Sequence, residues 1–298
     1  MIVASVDLGT NTTRLLVGRV EDGRIEELHR ETRITRLGEG VDARRRLLPV
    51  PIARVRNALS DYRRTAESLG AERTLLVATS AVRDAENGEA FLGEIEWSYG
   101  FVTRLLSGDE EAELTRRGVG ELGPMTLLAD VGGGSTELAL DGFRTSLPLG
   151  SVRFTERHGE NVEATTEETH ALLPELDPQD AVGVAATITS LAALDLDLEE
   201  YDRARVHGHV LTRDGARTQL ERLAALPLEQ RRRVPALEPN RAPVIVAGAA
   251  ILVAILDHYG LESIRVSERD LLDGAALAAV ELPEPEEGAA PPGAYTCC

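Results

Sequence analysis

Two short stretches of the chain combine an aspartate with residue types that can hold phosphate groups. The first has Asp7 and Gly9 with Thr10, Asn11 and Thr12, and the second has Asp130 with Gly132, Gly133, Gly134 and Ser135. Glycine lets backbone N–H groups approach phosphate oxygens closely, and an aspartate at the end of a strand can hold Mg²⁺ directly or through water. A lone Asp–Gly pair is also common in hairpin turns, but two such stretches in register favour phosphate binding.

A third stretch, residues 107–114, offers a carboxylate that could act as a base. Ser107 and Glu110 have the spacing of a capping box, so Glu110 has a structural reason to be present. Glu111 lies in the first turn of the same predicted helix, where its carboxylate could take a proton from water. The alternative is a solvated acid that complements the helix dipole, and the residues by themselves favour this alternative.

Arg83 lies about one helical turn past the end of a predicted strand. A planar guanidinium in this position could bridge two phosphate oxygens. An ordinary surface ion pair with Asp84 or Glu86 explains the residue equally well. The sequence leaves both interpretations open.

The elements that must position these residues alternate between strands and helices. Apolar runs that predict strands precede the motifs, at residues 2–8, 75–78, 101–106 and 125–131, and residues 52–69 have the periodicity of an amphipathic helix. This alternation predicts an α/β fold.

An internal repeat organises these elements. Residues 7–15 align with residues 130–138, and residues 77–81 align more weakly with residues 184–188. Two related half-domains with facing loops and a central cleft are therefore expected. The predicted domains are residues 1–118 and 119–282, followed by a disordered tail at 283–298 that is rich in Pro, Glu, Gly and Ala.

Composition and charge exclude several classes of protein. The formal net charge of −18 disfavours nucleic-acid binding, and all 32 Lys and Arg residues are arginine. Without lysine, the chain cannot be a P-loop NTPase, a protein kinase or a Schiff-base enzyme. The two cysteines, Cys297 and Cys298, provide no metal site in the folded body. Since no signal peptide or apolar span long enough for a bilayer is apparent, we expect a cytoplasmic protein without membrane contact.

Taken together, four motifs resemble those of the exopolyphosphatase and guanosine pentaphosphate phosphohydrolase (Ppx/GppA) family. They lie at residues 7–12, 79–83, 107–112 and 130–137, in the order and spacing of that family. The resemblance implies the actin-like superfold (ASKHA, ribonuclease H-like), with two half-domains of mixed sheets flanked by helices around a central cleft. It also implies hydrolysis of the terminal phosphoanhydride of inorganic polyphosphate, or of the 5′-γ-phosphate of pppGpp, with Mg²⁺ as cofactor.

The resemblance assigns roles to individual residues. Glu111 would be the general base, which reverses the interpretation from the residues alone. Asp130 and Glu137 would organise the metal, and Asp7 is a third candidate ligand from its position before the first loop. The phosphates would be held by Thr10, Asn11, Thr12, Arg83, Gly132, Gly133, Gly134 and Ser135.

The chain departs from the family pattern in two places. Ala185, Ala186 and Thr187 stand where the family often has a glycine-rich Gly-Thr stretch. Residues 271–274 read Leu-Leu-Asp-Gly where Leu-Arg-Glu-Gly is frequent.

These features bear on four possible functions. An exopolyphosphatase is the leading hypothesis, and a pppGpp phosphohydrolase is the close alternative, disfavoured slightly because aromatic residues make up 3% of the chain and offer few platforms for a stacked guanine. A non-catalytic phosphate or alarmone sensor stays open, whereas an ATP-dependent sugar or acetate kinase is disfavoured. The expected partners are inorganic polyphosphate or pppGpp, with a homodimer as one assembly to test.

Overall fold

The computed structural model describes residues 1–283, which divide into two compact units. Unit 1 contains Met1–Gly118 and the described residues from Leu271 onward, and unit 2 contains Val119–Asp270. The disordered tail predicted at 283–298 lies outside the described residues from position 284 on. Among the helices of residues 1–283, none is long and apolar enough to cross a membrane.

Unit 1 is built on a five-stranded mixed sheet. Its strands are β1 (Ile2–Leu8), β2 (Thr12–Glu21), β3 (Arg24–Ile34), β4 (Arg73–Ala78) and β5 (Val102–Leu105). The order is β3-β2-β1-β4-β5, with β1 antiparallel to β2 and parallel to β4. The helices are α1 (Val41–Arg44), α2 (Pro49–Ser68), α3 (Ser80–Arg83), α4 (Gly88–Tyr99), α5 (Gly108–Val119) and the last helix of the chain, α13 (Leu271–Ala279).

Helices cover both faces of this sheet. The residues of β1 point alternately to the two faces, and each face belongs to a different apolar cluster. Ala4 and Val6 belong to the cluster that contains the buried residues of α2. Val3 belongs to the cluster that contains α13. β1 is therefore buried from Val3 to Leu8, and this buried stretch includes the Asp7 side chain near its end.

The position of α13 differs from the domain ranges expected from the sequence, which put this helix in the second domain. In the structure, Ser5 Oγ on β1 donates to the Leu272 carbonyl at 2.8 Å, and Arg30 on β3 contacts Asp273 at 2.9 Å. A Cβ on Gly274 would lie 1.8 Å from the Leu114 carbonyl oxygen, so glycine allows α13 to approach α5. The helix follows unit 2 along the chain but packs on the sheet of unit 1.

Unit 2 is built on a six-stranded mixed sheet. Its strands are β6 (Thr126–Val131), β7 (Thr136–Leu140), β8 (Phe143–Leu147), β9 (Asp180–Val184), β10 (Val210–Thr212) and β11 (Ser263–Val266). Its helices are α6 (Ser151–His158), α7 (Val162–Leu172), α8 (Ala185–Asp195), α9 (Arg203–Val206), α10 (Arg213–Ala225), α11 (Leu228–Arg231) and α12 (Ile245–His258). α12 is buried from Ile245 to Leu256 and lies in the main apolar cluster of the unit.

The two sheets share one topology, which confirms the predicted fold class. The order β8-β7-β6-β9-β11 in unit 2 repeats the order β3-β2-β1-β4-β5 in unit 1, and β10 adds an edge strand beside β11. The weaker part of the repeat is reproduced as well, since Val77 pairs with Asp7 and Val184 pairs with Asp130. Each unit is a mixed sheet flanked by helices, as expected for an actin-like half-domain.

Candidate active site

The first loop, residues 9–12, connects β1 to β2 and is held by backbone hydrogen bonds. Gly9 N donates to the Thr12 carbonyl at 2.9 Å, and the Asn11 carbonyl accepts two N–H groups from the segment that follows β3. A Cβ on Gly9 would lie 3.1 Å from Thr12 O, so the turn favours glycine. The residues predicted to hold phosphate thus lie on a tight turn that is fixed on both sides.

The segment that follows β3, residues 35–38, supports the first loop and was missed in the sequence. Gly38 N donates to the Thr10 carbonyl at 2.8 Å, and a Cβ on Gly38 would lie 2.2 Å from Thr10 Cγ2. Arg36 has a φ of 52°, in the left-handed region that few non-glycine residues adopt. The closely spaced Gly38 and Gly40 were the signal in the sequence, but local pattern does not reveal which distant loop such a segment contacts.

Helix α3 connects the first loop with the candidate base. At its start, Ser80 Oγ lies 2.9 Å from Thr10 Oγ1, within hydrogen-bond distance. At its end, Arg83 Nη1 donates to Glu111 Oε2 at 3.1 Å and to the Leu106 carbonyl at 2.7 Å. Unit 1 therefore brings together three predicted site residues, Thr10, Arg83 and Glu111, through one short helix.

The burial of Glu111 bears on one of the two interpretations of that residue, the solvated acid. Glu111 is 5% exposed, so the solvated first-turn acid favoured by the residues alone is wrong. Its ion pair with Arg83 offsets part of the cost of burying a carboxylate. Arg83 itself is about one quarter exposed and forms its ion pair with this buried acid.

Glu110, the neighbour of Glu111, has the structural role expected from the sequence. Its Oε2 accepts hydrogen bonds from Ser107 N at 2.8 Å and Ser107 Oγ at 2.7 Å, and its own N–H donates to Ser107 Oγ at 3.3 Å. These bonds form the predicted capping box at the start of α5. The hydrogen bond from the Ser107 side chain also lowers the pKa of Glu110.

In the same unit, Asp7 on β1 is bound by Arg14 on β2. Arg14 Nε and Nη2 lie 2.9 and 2.8 Å from Asp7 Oδ2, and the Asp7 side chain is 5% exposed. The two residues are direct cross-strand partners in the β1–β2 pair. Asp7 therefore carries an arginine counter-ion at the base of the first loop.

The second loop, residues 132–135, connects β6 to β7 and makes the same turn. Gly132 N donates to the Ser135 carbonyl at 3.0 Å, and a Cβ on Gly132 would lie 2.9 Å from that oxygen. The start of α6 holds the other side of the loop, since Val152 N donates to Gly133 O at 2.8 Å and Arg153 Nε donates to Gly134 O at 2.6 Å. These contacts turn the loop carbonyls toward α6.

Two acidic residues face each other at the base of the second loop. Asp130 on β6 and Glu137 on β7 are direct cross-strand partners and are 8% and 3% exposed. Ser146 Oγ donates to Glu137 Oε1 at 2.6 Å. Within residues 1–283, no group of three or more His, Cys, Asp or Glu side chains is arranged to hold a metal ion. Two carboxylates nevertheless suit Mg²⁺, which takes one or two from a protein and its other ligands from water and substrate phosphates.

The first departure from the family pattern places alanine in a backbone conformation that favours glycine. β9 ends at Val184, and Ala185 begins α8 with a φ of 69°. This left-handed conformation favours glycine, the residue type expected in this stretch from the family resemblance. In this chain, alanine adopts the glycine conformation directly beside the strand that pairs with Asp130.

The second departure, Leu-Leu-Asp-Gly at residues 271–274, belongs to the interface of α13 with unit 1. Asp273 binds Arg30, the Leu272 carbonyl binds Ser5, and Gly274 lies against α5. These contacts fix α13 to the sheet and to α5 of unit 1.

Comparison with known proteins places the chain among phosphatases. The chain is 37% identical to Exopolyphosphatase 2 of Mycobacterium tuberculosis over 314 residues, covering 93% of this chain and 98% of that protein. The crystal structure of an exopolyphosphatase-like protein superposes with a TM-score of 0.86 at 30% identity, covering 93% of this chain and 98% of that one. The guanosine-5′-triphosphate,3′-diphosphate pyrophosphatase of Vibrio atlanticus is 28% identical, covering 94% of this chain and 59% of that protein.

A model of the Ppx/GppA phosphatase family matches residues 16–281, most of the described chain. The relatives, the shared fold and the family match agree with the resemblance seen in the four motifs. The chain therefore belongs to the Ppx/GppA phosphatase family.

Proposed function

We propose that the protein is an exopolyphosphatase-type phosphohydrolase that releases terminal orthophosphate from inorganic polyphosphate. Family membership makes the chain a hydrolase of phosphoanhydride bonds. The observation that carries the finer proposal is the connection through α3, in which Ser80 contacts the first loop and Arg83 contacts the buried Glu111. One short helix couples a loop suited to phosphate with a carboxylate suited to proton transfer.

In the proposed reaction, Glu111 is the general base. Its carboxylate accepts a proton from water, the water oxygen bonds to the terminal phosphorus, and the bond from that phosphorus to the bridging oxygen breaks. The products are orthophosphate and a chain shorter by one phosphate. Arg83 positions Glu111 Oε2, because the Leu106 carbonyl holds the same guanidinium nitrogen in place.

The remaining predicted residues are assigned to substrate and cofactor. The first loop and the second loop hold phosphate oxygens, with their glycine turns keeping side chains out of the way. Asp130 and Glu137 are the carboxylates that fit Mg²⁺, and the bound cation would neutralise charge on the phosphate oxygens. Positioning and charge neutralisation account for most of the catalysis of phosphoryl transfer. In this proposal the two loops position the substrate and the bound cation would neutralise its charge.

Orthophosphate release from short and long polyphosphate, measured with Mg²⁺, tests the proposal. A general base contributes roughly 10²–10⁴-fold, so Glu111→Gln should lower kcat by about that factor. Glu110→Gln is the matched control, since the neighbouring residue caps the helix and should keep activity within a few-fold. Thermal melting of both variants separates lost folding from lost chemistry. Full activity of a folded Glu111→Gln would rule out the assigned base.

A pppGpp 5′-phosphohydrolase is the second candidate, supported by the similarity to the Vibrio atlanticus pyrophosphatase. The same assay with pppGpp decides between the two, because the larger kcat/KM identifies the preferred substrate. A wild-type protein that binds polyphosphate or pppGpp but releases no orthophosphate would instead favour a non-catalytic phosphate or alarmone sensor.

Cofactor, compartment and assembly complete the proposal. Mg²⁺ is proposed as the cofactor and the cytoplasm as the compartment, and a homodimer is the assembly to test by light scattering. If Asp130 holds the metal, Asp130→Asn should raise the Mg²⁺ concentration needed for half-maximal phosphate release. An unchanged Mg²⁺ requirement would remove Asp130 from the metal site.

A further inference from the structure

A run of three exposed arginines lies on unit 1 beside segments that hold candidate site residues. Arg44, Arg45 and Arg46 follow one another at the end of α1, and all three are exposed. The formal net charge of the chain is −18, so three adjacent cations are a local exception on an acidic protein. A polyanion that binds a protein of this net charge needs such a basic region.

The N-terminal side of the basic run, Arg44–Arg46, is tied to the first loop. Val41 N at the start of α1 donates to the Gly38 carbonyl at 3.1 Å, and Gly38 N donates to the Thr10 carbonyl at 2.8 Å. Two hydrogen bonds therefore connect the helix that carries Arg44 with a residue predicted to hold phosphate.

The C-terminal side of the basic run is tied to the segment that follows α3. Glu86 N donates to the Arg45 carbonyl at 2.8 Å. Glu86 is three residues beyond Arg83, the last residue of α3, and three residues span at most about 10 Å. The basic run thus lies near Arg83, which is also predicted to hold phosphate.

The protein neutralises little of the charge of the basic run. Among residues 1–283, only Asp84 has a carboxylate oxygen within 4.0 Å of these guanidinium groups, and it lies 3.9 Å from Arg45 Nη1. An exposed pair at this separation is weak and is screened by salt. Charge that is not used within unit 1 is available to a ligand.

The backbone of Arg45 gives a second reason to assign a binding role. Its φ is 53°, in the left-handed region where glycine is the usual residue at the end of a helix. Strained residues of this kind cluster at functional sites, where the surrounding structure keeps them in place. An exposed arginine at this position is therefore better explained by binding than by folding.

We propose that the basic run is a subsite for the phosphates of a long polyphosphate chain that follow the terminal, reacting one. A short substrate such as tripolyphosphate occupies the first loop, whereas a longer chain also reaches the basic run. Arginine suits this role, since a guanidinium can bridge two phosphate oxygens and stays charged at every physiological pH. The inference rests on the proposed function and deepens it, because it predicts a preference for long polymers.

Calorimetric titration with long-chain polyphosphate and with tripolyphosphate, in the absence of divalent cations, tests the subsite apart from catalysis. The test protein is the triple variant Arg44→Gln, Arg45→Gln and Arg46→Gln. One exposed charge pair is worth about 1.4–5-fold in affinity. The triple variant should therefore lose about tenfold in affinity for long polyphosphate relative to tripolyphosphate, and an unchanged ratio of the two affinities would overturn the inference.

The matched control removes the same charge from unit 1 at a distance from the first loop, in the triple variant Arg19→Gln, Arg24→Gln and Arg64→Gln. Arg19 and Arg24 lie near the turn between β2 and β3, at the end of β2 opposite the first loop, and Arg64 lies near the end of α2. This control should keep the ratio of the two affinities within about twofold. Equal losses in both triple variants would reveal a general charge effect and overturn the subsite.

Arg45→Gly separates binding from folding. Glycine relieves the left-handed strain, so the melting temperature should not fall, while the affinity for long polyphosphate should drop by about 1.4–5-fold. A loss of affinity that appears only together with a lower melting temperature would overturn the assignment of Arg45.

Competition distinguishes a substrate subsite from a general polyanion site. Single-stranded DNA at equal phosphate concentration should not displace long polyphosphate, and displacement would overturn the assignment to substrate. If the wild type shows this binding pattern but releases no orthophosphate, the proposed function alone fails.

Discussion

Replacing Ala185 with glycine is expected to stabilise unit 2. Ala185 begins α8 with a φ of 69°, a conformation that costs a residue with a Cβ about 1–2 kcal/mol and costs glycine almost nothing. Glycine also gains freedom in the unfolded chain, which offsets about 0.5–1 kcal/mol of this relief. The net increase in the free energy of unfolding should be about 0.5–1 kcal/mol.

Ala186→Gly is the matched control, because Ala186 is the next residue of the same helix and is also partly exposed. The φ of Ala186 is not positive, so glycine relieves no strain there. Ala186→Gly should therefore lower the free energy of unfolding by about 0.5–1 kcal/mol. The entropy of the unfolded chain cancels between the two variants, and their difference of about 1–2 kcal/mol measures the strain at Ala185. For a unit of about 150 residues, this difference corresponds to roughly 2–8 °C in Tm.

Calorimetry and far-UV circular dichroism can follow the melting of unit 2. The single tryptophan, Trp97, lies in α4 of unit 1, so its fluorescence reports on unit 1 instead. Ala185→Gly should melt above the wild type and Ala186→Gly below it. If Ala185→Gly melts at or below the temperature of Ala186→Gly, the strain argument is refuted.

Three further expectations concern stability. Gly274→Ala would put a Cβ 1.8 Å from the Leu114 carbonyl oxygen, so it should lower the stability of unit 1 by at least about 1–3 kcal/mol. Urea denaturation followed by Trp97 fluorescence tests this, and an unchanged midpoint would show that the clash is absent. Arg231→Met should cost about 3–5 kcal/mol, because the fully buried guanidinium donates to three backbone carbonyls, whereas Glu160→Gln, which alters its half-exposed partner, should cost little. The three carbonyls are those of Leu223, Leu226 and Ala242. Similar calorimetric losses of stability for Arg231→Met and Glu160→Gln would contradict this expectation. The hydrogen bond from Arg231 lowers the pKa of Glu160, so the stability that this carboxylate contributes is present above its unfolded pKa and is lost as pH falls through the folded pKa. The free energies of unfolding of wild type and Glu160→Gln, measured by denaturation titrations, should therefore converge in acid. A difference between the two proteins that widens in acid would contradict this expectation.

Much of the fold could be predicted because the repeat is written in short, local patterns. The aligned stretches at residues 7–15 and 130–138 reappear as equivalent strand pairs with the same turn, since a tight turn between antiparallel strands fixes which residues face each other. The capping box of Glu110 was predictable for the same reason, because Ser107 and Glu110 are three residues apart on one helix.

The docking of α13 was not predictable from the order of elements. The helix follows β11 in the chain, yet its small apolar residues fill the face of β1 that α2 leaves uncovered. Gly38 was overlooked for a related reason, because its contact with Thr10 joins segments separated by two strands. Contacts of this kind depend on which surfaces remain to be covered once the sheet has formed.

The sequence by itself determined the two loops, the mixed α/β sheets and the family, because glycine turns, strand periodicity and motif spacing are local properties of the chain. The tertiary structure decided the state of the charged groups. It buries Glu111 against Arg83 and sets Asp7 against Arg14 while Asp130 faces Glu137. Burial and the sign of the neighbouring charge govern what a carboxylate can do, and both arise only when separate strands and helices pack together.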